Sequence, residues 1–226
     1  MLAAASPSVW AMDMHTCGNQ MILSGDVERG DFRLVQRTLA EHPDITVAIL
    51  RNSRGGDAAS GYAVGEFFRE KGISTYASGY CRSSCSRMFL GGKERFFTND
   101  FSPDQTTVGF HSNYDNAGHI TPGAQSKLTQ FIRKYSDGKA DESLVERWVN
   151  IENRNGFAHF FHPVTLHRSD SVSLLLCNGS EGTQRWKLCE KITGYDALSM
   201  GIITSLELKR SCDADLLATR PASSSP

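Results

Sequence analysis

Five consecutive apolar or β-branched residues, Thr46 to Leu50, leave no polar position on either face, the pattern of a strand buried on both sides as in parallel sheets. Shorter runs at Met21–Leu23, Ile73–Ala77, Thr107–Phe110 and Ser171–Leu176 predict further strands. Between them apolar residues return at helical spacing. Phe32, Val35 and Leu39 share one face after Asp31, read as a cap, and stop at His42-Pro43. Ala59, Ala63, Val64 and Phe67 form the inner side of a second helix that Gly72 closes. The stretch Gly79 to Gly92 reads as a turn opening into a helix. Residues 123–150 carry Leu128, Phe131, Ile132, Leu144, Val145 and Trp148 in helical rhythm, broken near Asp137-Gly138, and a last helix is expected around Tyr195–Gly201. Strand and helix alternate, which predicts one α/β domain of right-handed βαβ units on a mostly parallel sheet.

The chain has 226 residues, 39% of them hydrophobic and 22% charged, proportions that suit a single globular core. Residues 20–212 are assigned to that domain. With 24 Lys+Arg against 25 Asp+Glu the net charge is −1 and no segment gathers the basic residues, so nucleic acid is not expected as a partner. No apolar run approaches the roughly 18 residues of a spanning helix, so no membrane span is expected. Residues 1–19 are rich in small residues and resemble a leader or the remnant of a trimmed signal, although no basic stretch precedes them. Residues 213–226 end in a Pro/Ser-rich stretch and are expected to be a disordered tail. The six cysteines form an even set, which points to an oxidising compartment, periplasmic or secreted, with a cytoplasmic protein of free thiols as the alternative.

Two glycine-bearing turns follow predicted strands and precede predicted helices, at the sheet edge where α/β active sites form. In Asn52–Gly56 the adjacent Gly55 and Gly56 allow backbone N–H groups to approach an oxyanion, and a plain strand-to-helix turn would look the same. In the second turn Ser83 and Ser84 stand at a helix start, where serine serves as a cap or, beside a base, as a nucleophile. His111, directly after Thr107–Phe110, emerges at the same edge. His159, His162 and His167 surround Phe160-Phe161 and Pro163 in a segment read as irregular, so they are taken as loop histidines. No Cys-x-x-Cys or His-Glu-x-x-His pattern occurs, and neither a metal nor a cofactor is expected.

The ordered set Leu23–Val27, Asn52–Gly56, Gly79–Ser83 with Gly91-Gly92 downstream, Gly109–His111 and Ala197–Ile203 resembles the Clp protease proteolytic subunit and its relatives in the ClpP/crotonase superfamily. Each motif is short, but Gly55, Ser83 and His111 are evenly spaced, as that pattern asks. The Cys81-Arg82-Ser83-Ser84-Cys85 version of the serine turn looks most like periplasmic or secreted ClpP-like proteins. The resemblance implies a ClpP/crotonase-like fold of repeated ββα/βαβ units and a serine endopeptidase activity on a peptide or unfolded protein, and it allows a homo-oligomer. It gives Ser83 the role of nucleophile, His111 that of general base, and the N–H groups of Gly55 and Ser84 that of oxyanion hole. The third triad position departs from the family: Gln184–Thr193 contains no aspartate. Asp170 is favoured as its substitute, Glu190 is a second choice, and a histidine oriented by a backbone carbonyl is a third.

Other readings of these residues remain open at this level. Lys127 could serve as base in a Ser-Lys pair, and a solvated helix lysine would look the same. A crotonase-like acyl-CoA enzyme would use the oxyanion donors alone, against which stand the Ser83/His111 pair and the lack of an obvious basic site for CoA phosphates. A scaffold with a decayed site is the non-enzymatic alternative. Within the resemblance the cysteines acquire places: Cys81 and Cys85 bracket Ser83 as a bridge or as packed thiols, Cys177 and Cys189 flank the insertion Asn178–Gly182, and Cys17 and Cys212 lie near the domain's two ends.

Overall fold

The structure, a computed structural model, describes residues 12–165, 172–182 and 185–218. Its centre is β3 (Val47–Ser53), whose apolar residues Val47–Leu50 are all buried, as their continuous run demands. Parallel β2 (Gln20–Ser24) flanks it on one side and parallel β4 (Ser74–Arg82) on the other, pairing Leu23 with Leu50 and Leu50 with Ala77. The crossovers are α1 (Asp31–Glu41) and α2 (Ala58–Lys71). The strand β4 serves two partners in succession: its first half pairs with β5 (Arg95–Phe97) and its second half with β6 (Thr107–Phe110), both parallel. Antiparallel strands complete the sheet, β1 (Asp13–Cys17) beside β2, and β7 (Phe157–Phe161), β8 (Leu174–Cys177) and β9 (Glu190–Ile192) beyond β6. The result is an α/β fold with a mixed sheet, nine-stranded among the described residues and parallel at its centre.

The elbow helix α3 (Ser84–Gly91) is held by unusually close backbone packing. A Cβ added to Gly61 or Gly65 of α2 would come within 2.6 Å of Ser84 O or 2.4 Å of Arg87 O. Only glycine permits that approach, and it presses the start of α3 against the sheet edge. Outside this pair, α4 (Ala124–Tyr135) and α5 (Glu142–Val149) bury Leu128, Phe131, Ile132, Val145 and Trp148 in the same core as Val64, Phe68 and Met88. The break expected near Asp137-Gly138 separates them. Two short helices, α6 (Arg185–Leu188) and α7 (Ala214–Ala218), lie late in the chain.

The structure departs from the sequence pattern in several places. The strand expected to stop at Ala77 continues to Arg82, because β6 offers it a second partner and because Gly79, at φ 72°, lets it bend where the β3–β4 register shifts. The inner face of α2 is not Ala59, Ala63 and Phe67 but Ser60, Gly61, Val64, Gly65 and Phe68: contact with α3 turns the helix onto its glycines. Asp31 begins α1 without capping it; its buried carboxylate accepts the N–H of Glu28 and of Met12, fastening the incoming chain. Residues 157–161, read as irregular, form β7, with every residue buried. Tyr195–Gly201 makes a single tight turn rather than a helix, and Gly201 ends it at φ 65°.

Residues 13–19, placed in the leader by the sequence, form β1 and the turn into β2, and Asp213, placed in the tail, is bound to the fold. Arg51, buried on β3, donates to both Asp213 carboxylate oxygens at 2.7 and 2.8 Å and to Ser211 Oγ at 2.7 Å. Beside this network Cys17 is bonded to Cys212. The other disulfides join Cys81 to Cys85 and Cys177 to Cys189, and no described cysteine is free.

Candidate active site

The strand β4 delivers Ser83 to the sheet edge, and α3 begins one residue later. Ser83 occupies φ 54°, ψ −126°, a conformation that L-residues avoid unless the surroundings impose it. Three constraints do so here. The Ser83 N–H donates to Gly109 O at 2.9 Å, the Cys81–Cys85 disulfide spans the turn, and Gly55 lies against the Ser83 Cβ. The same constraints lift the hydroxyl out of the turn, where Ser83 Oγ lies 2.7 Å from His111 Nε2.

His111 follows β6 and is buried, its ring stacked on Phe157 with 4.0 Å between centroids and an interplanar angle of 17°. Tyr114 leans on it from another side at 5.1 Å. Burial, followed by the nearby positive charge of Arg87, pulls its pKa from 6.5 to about 3, so the imidazole is neutral through the neutral range. Nδ1 makes no well-formed hydrogen bond among the described residues, yet the backbone of Arg154 and Gly156 lies close enough to favour a proton on the ring. No described carboxylate contacts it.

The side of the site facing His111 across Ser83 is built from the two turns. The Gly55 N–H donates to Ser53 Oγ at 3.2 Å, while Val27 accepts from Asp57 and donates to Gly55 O, pinning the turn. The N–H groups of Gly56 and Ser84 form no hydrogen bond among the described residues and stand at the two turns that meet at Ser83. The Ser84 side chain is fully buried, which leaves Ser83 as the serine hydroxyl of this turn that lines the cleft.

Ser83, Ser84, His111 and Gly55 are therefore brought together. Glu190, on β9, is paired with Arg147 and does not reach His111. Asp170 lies outside the described residues, as does His167. Lys127 is exposed, its Nζ 4.4 Å from the centre of the Tyr62 ring, and makes no hydrogen bond to Ser83. His159 sits within β7 and His162 just after it, the latter bonded to Leu206 O at 3.0 Å, so neither is a loop ligand. Cys177, Glu181 and Cys189 converge, but the two sulfurs are bonded to each other and the carboxylate accepts the N–H of Asn178 and Gly179, which leaves no ligand set for a metal.

Sequence reasoning missed Arg87. Its side chain is fully buried, donates to His111 O at 2.9 Å and to Asn113 Oδ1 at 2.8 Å, and has no carboxylate partner among the described residues. The available signal was an arginine directly before the apolar run Met88–Leu90 in a helix with no exposed side. Also unforeseen is the character of the cleft, about 1040 Å³, over Ser83 and His111: Arg29, Arg54, Arg82 and Arg154 line it, so the expected lack of a basic site is not met. No described helix is long and apolar enough to cross a membrane.

No family model matches the sequence, and no curated protein matches it. Among solved structures, a point mutant of ClpP1 from Listeria monocytogenes aligns with TM-score 0.51 at 12% identity, over 87% of this chain and 94% of that one. The same protein without that mutation gives 0.49 at 12% identity, covering 85% and 93%, and a mutant of the 1510-N membrane-bound stomatin-specific protease gives 0.48 at 14%, covering 87% and 80%. The likeness to the first of these extends over nearly its whole length: the chain has a ClpP-like fold.

Proposed function

We propose that the chain is a serine peptidase-like hydrolase that cleaves peptide bonds through an acyl-enzyme. The observation that carries this reading is the 2.7 Å contact between Ser83 Oγ and His111 Nε2, with Ser83 held at positive φ on a strand-to-helix turn. A neutral His111 can accept the Ser83 proton as Oγ attacks the carbonyl carbon. The N–H groups of Ser84 and Gly56 are the open donors for the resulting oxyanion, with Gly55 shaping the turn that presents Gly56. His111 then returns its proton to the amine nitrogen as the C–N bond breaks, and afterwards takes a proton from the water that hydrolyses the ester.

Stacking on Phe157 and the backbone of residues 154–156 orient the imidazole in this reading, and Asp170 is the candidate carboxylate. Asp170→Asn separates the two arrangements: a loss of roughly 10⁴-fold identifies an orienting carboxylate, and an unchanged rate identifies a Ser-His dyad. The three disulfides support work in an oxidising compartment, periplasmic or extracellular. The ClpP-like fold also supports assembly of several copies, which sedimentation velocity would read directly.

A fluorophosphonate probe tests the reading. It should label the wild type and Ser84→Ala, and fail on Ser83→Ala and His111→Ala. The absence of a described carboxylate on His111 Nδ1 favours a second reading, a ClpP-like binding or assembly protein without turnover. Failure of the probe on the folded wild type would select it.

A further inference from the structure

We propose that the cleft selects acidic peptides, with Asp or Glu side chains close to the bond presented to Ser83. The inference rests on the peptidase reading for the identity of its ligand. Guanidinium groups surround the reacting pair: Arg82 immediately precedes Ser83, Arg54 immediately precedes the Gly55-Gly56 turn, and Arg154 lies on the side of His111. Arg29, Arg54 and Arg154 are exposed to the cleft and form no ion pair among the described residues. Exposed guanidinium groups with no carboxylate of their own are the side chains that bind carboxylates bidentately.

The acids of the cleft keep their charge but are turned to backbone donors and form no ion pair with Arg29, Arg54 or Arg154 among the described residues. Asp57 caps α2 by accepting the Ser60 N–H at 2.7 Å, Asp26 accepts the Arg54 N–H at 3.3 Å, and Glu181 is bound to the backbone of its own loop. The charges of Arg87 and Arg154 both oppose protonation of the His111 ring. Apolar recognition is poorly provided for. The Phe157 ring is already stacked on His111, and Tyr114 is turned to the Ile151 carbonyl. Four arginines against Asp26, Asp57 and Glu181 leave the lining with a surplus of one positive charge in a chain of net charge −1, a local feature of the site.

The test uses the full chain carrying Ser83→Ala, which binds without turnover, and three otherwise identical peptides with Glu, Gln or Lys flanking the central bond. By calorimetry the Glu peptide should bind about tenfold more tightly than the Gln peptide and more tightly still than the Lys peptide, an advantage that shrinks in high salt. The double reversal Arg54→Glu with Arg154→Glu should invert the order. Equal binding of the three peptides, an order unchanged by the reversal, or tighter binding of coenzyme A than of the Glu peptide would overturn the inference. Wild-type cleavage of all three peptides at one rate would also overturn it while leaving the peptidase reading intact. Absence of probe labelling at Ser83 would remove the peptidase reading, and the binding order would still report on the cleft.

Discussion

Gly55 and Ser83 lie on turns that follow different strands, yet a Cβ on Gly55 would sit 2.4 Å from the Ser83 Cβ and 2.8 Å from the Ser84 nitrogen. The two turns interlock, so a side chain at Gly55 has to push Ser83 or the Ser84 N–H, the proposed oxyanion donor, out of place. Its φ of 93° adds backbone strain to the clash. Gly55→Ala is therefore expected to lower probe labelling of Ser83 by about 100-fold or more, the scale on which a lost oxyanion donor is felt. Gly30→Ala, where a Cβ meets open space, is the control and should label normally. Wild-type labelling in Gly55→Ala would show that the interlock has no bearing on the serine.

The protonation of His111 predicts how activity and stability follow pH. The unfolded chain protonates this histidine near 6.5, whereas burial and Arg87 hold the folded value at about 3. Between those values the unfolded state binds more protons, so the contribution of His111 to stability is fully present above 6.5 and is lost as pH falls toward 3. The acid limb of kcat/KM should correspondingly lie well below pH 6.5, as a rate profile with an uncharged substrate would reveal. A limb at 6.5 would mean that the ring is not desolvated as the structure has it.

Arg87 acts on that ring from behind, through the carbonyl of His111 and through its charge. It does not line the cleft, so under the peptidase proposal it is a positioning residue. Arg87→Met should raise the acid limb of the rate profile, because one of the charges opposing protonation is gone, while Arg87→Lys should retain more of the low limb. A purely structural role would reduce kcat in both variants without moving the limb.

The disulfides differ in what they constrain. Cys17–Cys212 joins residues 195 apart in sequence, for which loop-closure entropy gives about 5 kcal/mol, against about 2 kcal/mol for Cys81–Cys85 with a separation of 4. Replacing Cys17 and Cys212 by serine should lower the denaturant midpoint strongly and free the residues around Asp213. Replacing Cys81 and Cys85 should cost less stability but impair labelling of Ser83, whose turn they span. The opposite ranking in paired denaturation and labelling experiments would refute this division.

Acid should weaken the same C-terminal tie through Asp213, whose carboxyl Arg51 holds well below the usual carboxylate range. A depressed folded value means stability that is present above the unfolded pKa and lost as pH falls below it. Asp213→Asn should flatten that acid loss in a pH series of denaturation curves. If the series is unaffected, the Arg51 network does not carry it.

Much of the molecule was legible before any coordinates. Thr46–Leu50 announced a central strand, Asp137-Gly138 announced the break between α4 and α5, and the ordered turns pointed to the fold and to Ser83 and His111, which the structure brings into contact. Those features depend on near-neighbour properties: the period of apolar positions, the backbone freedom of glycine, and the order in which turns follow strands. Tertiary packing decided the rest. It turned α2 onto Gly61 and Gly65, extended β4 by giving it a second partner, drew Phe157–Phe161 into the sheet, and directed the Gly55 N–H to Ser53. It also set Arg87 behind His111 and gathered four arginines from separate segments around one serine. Such juxtapositions join residues far apart in the chain, and no local pattern encodes them, because their energies arise only when distant elements meet.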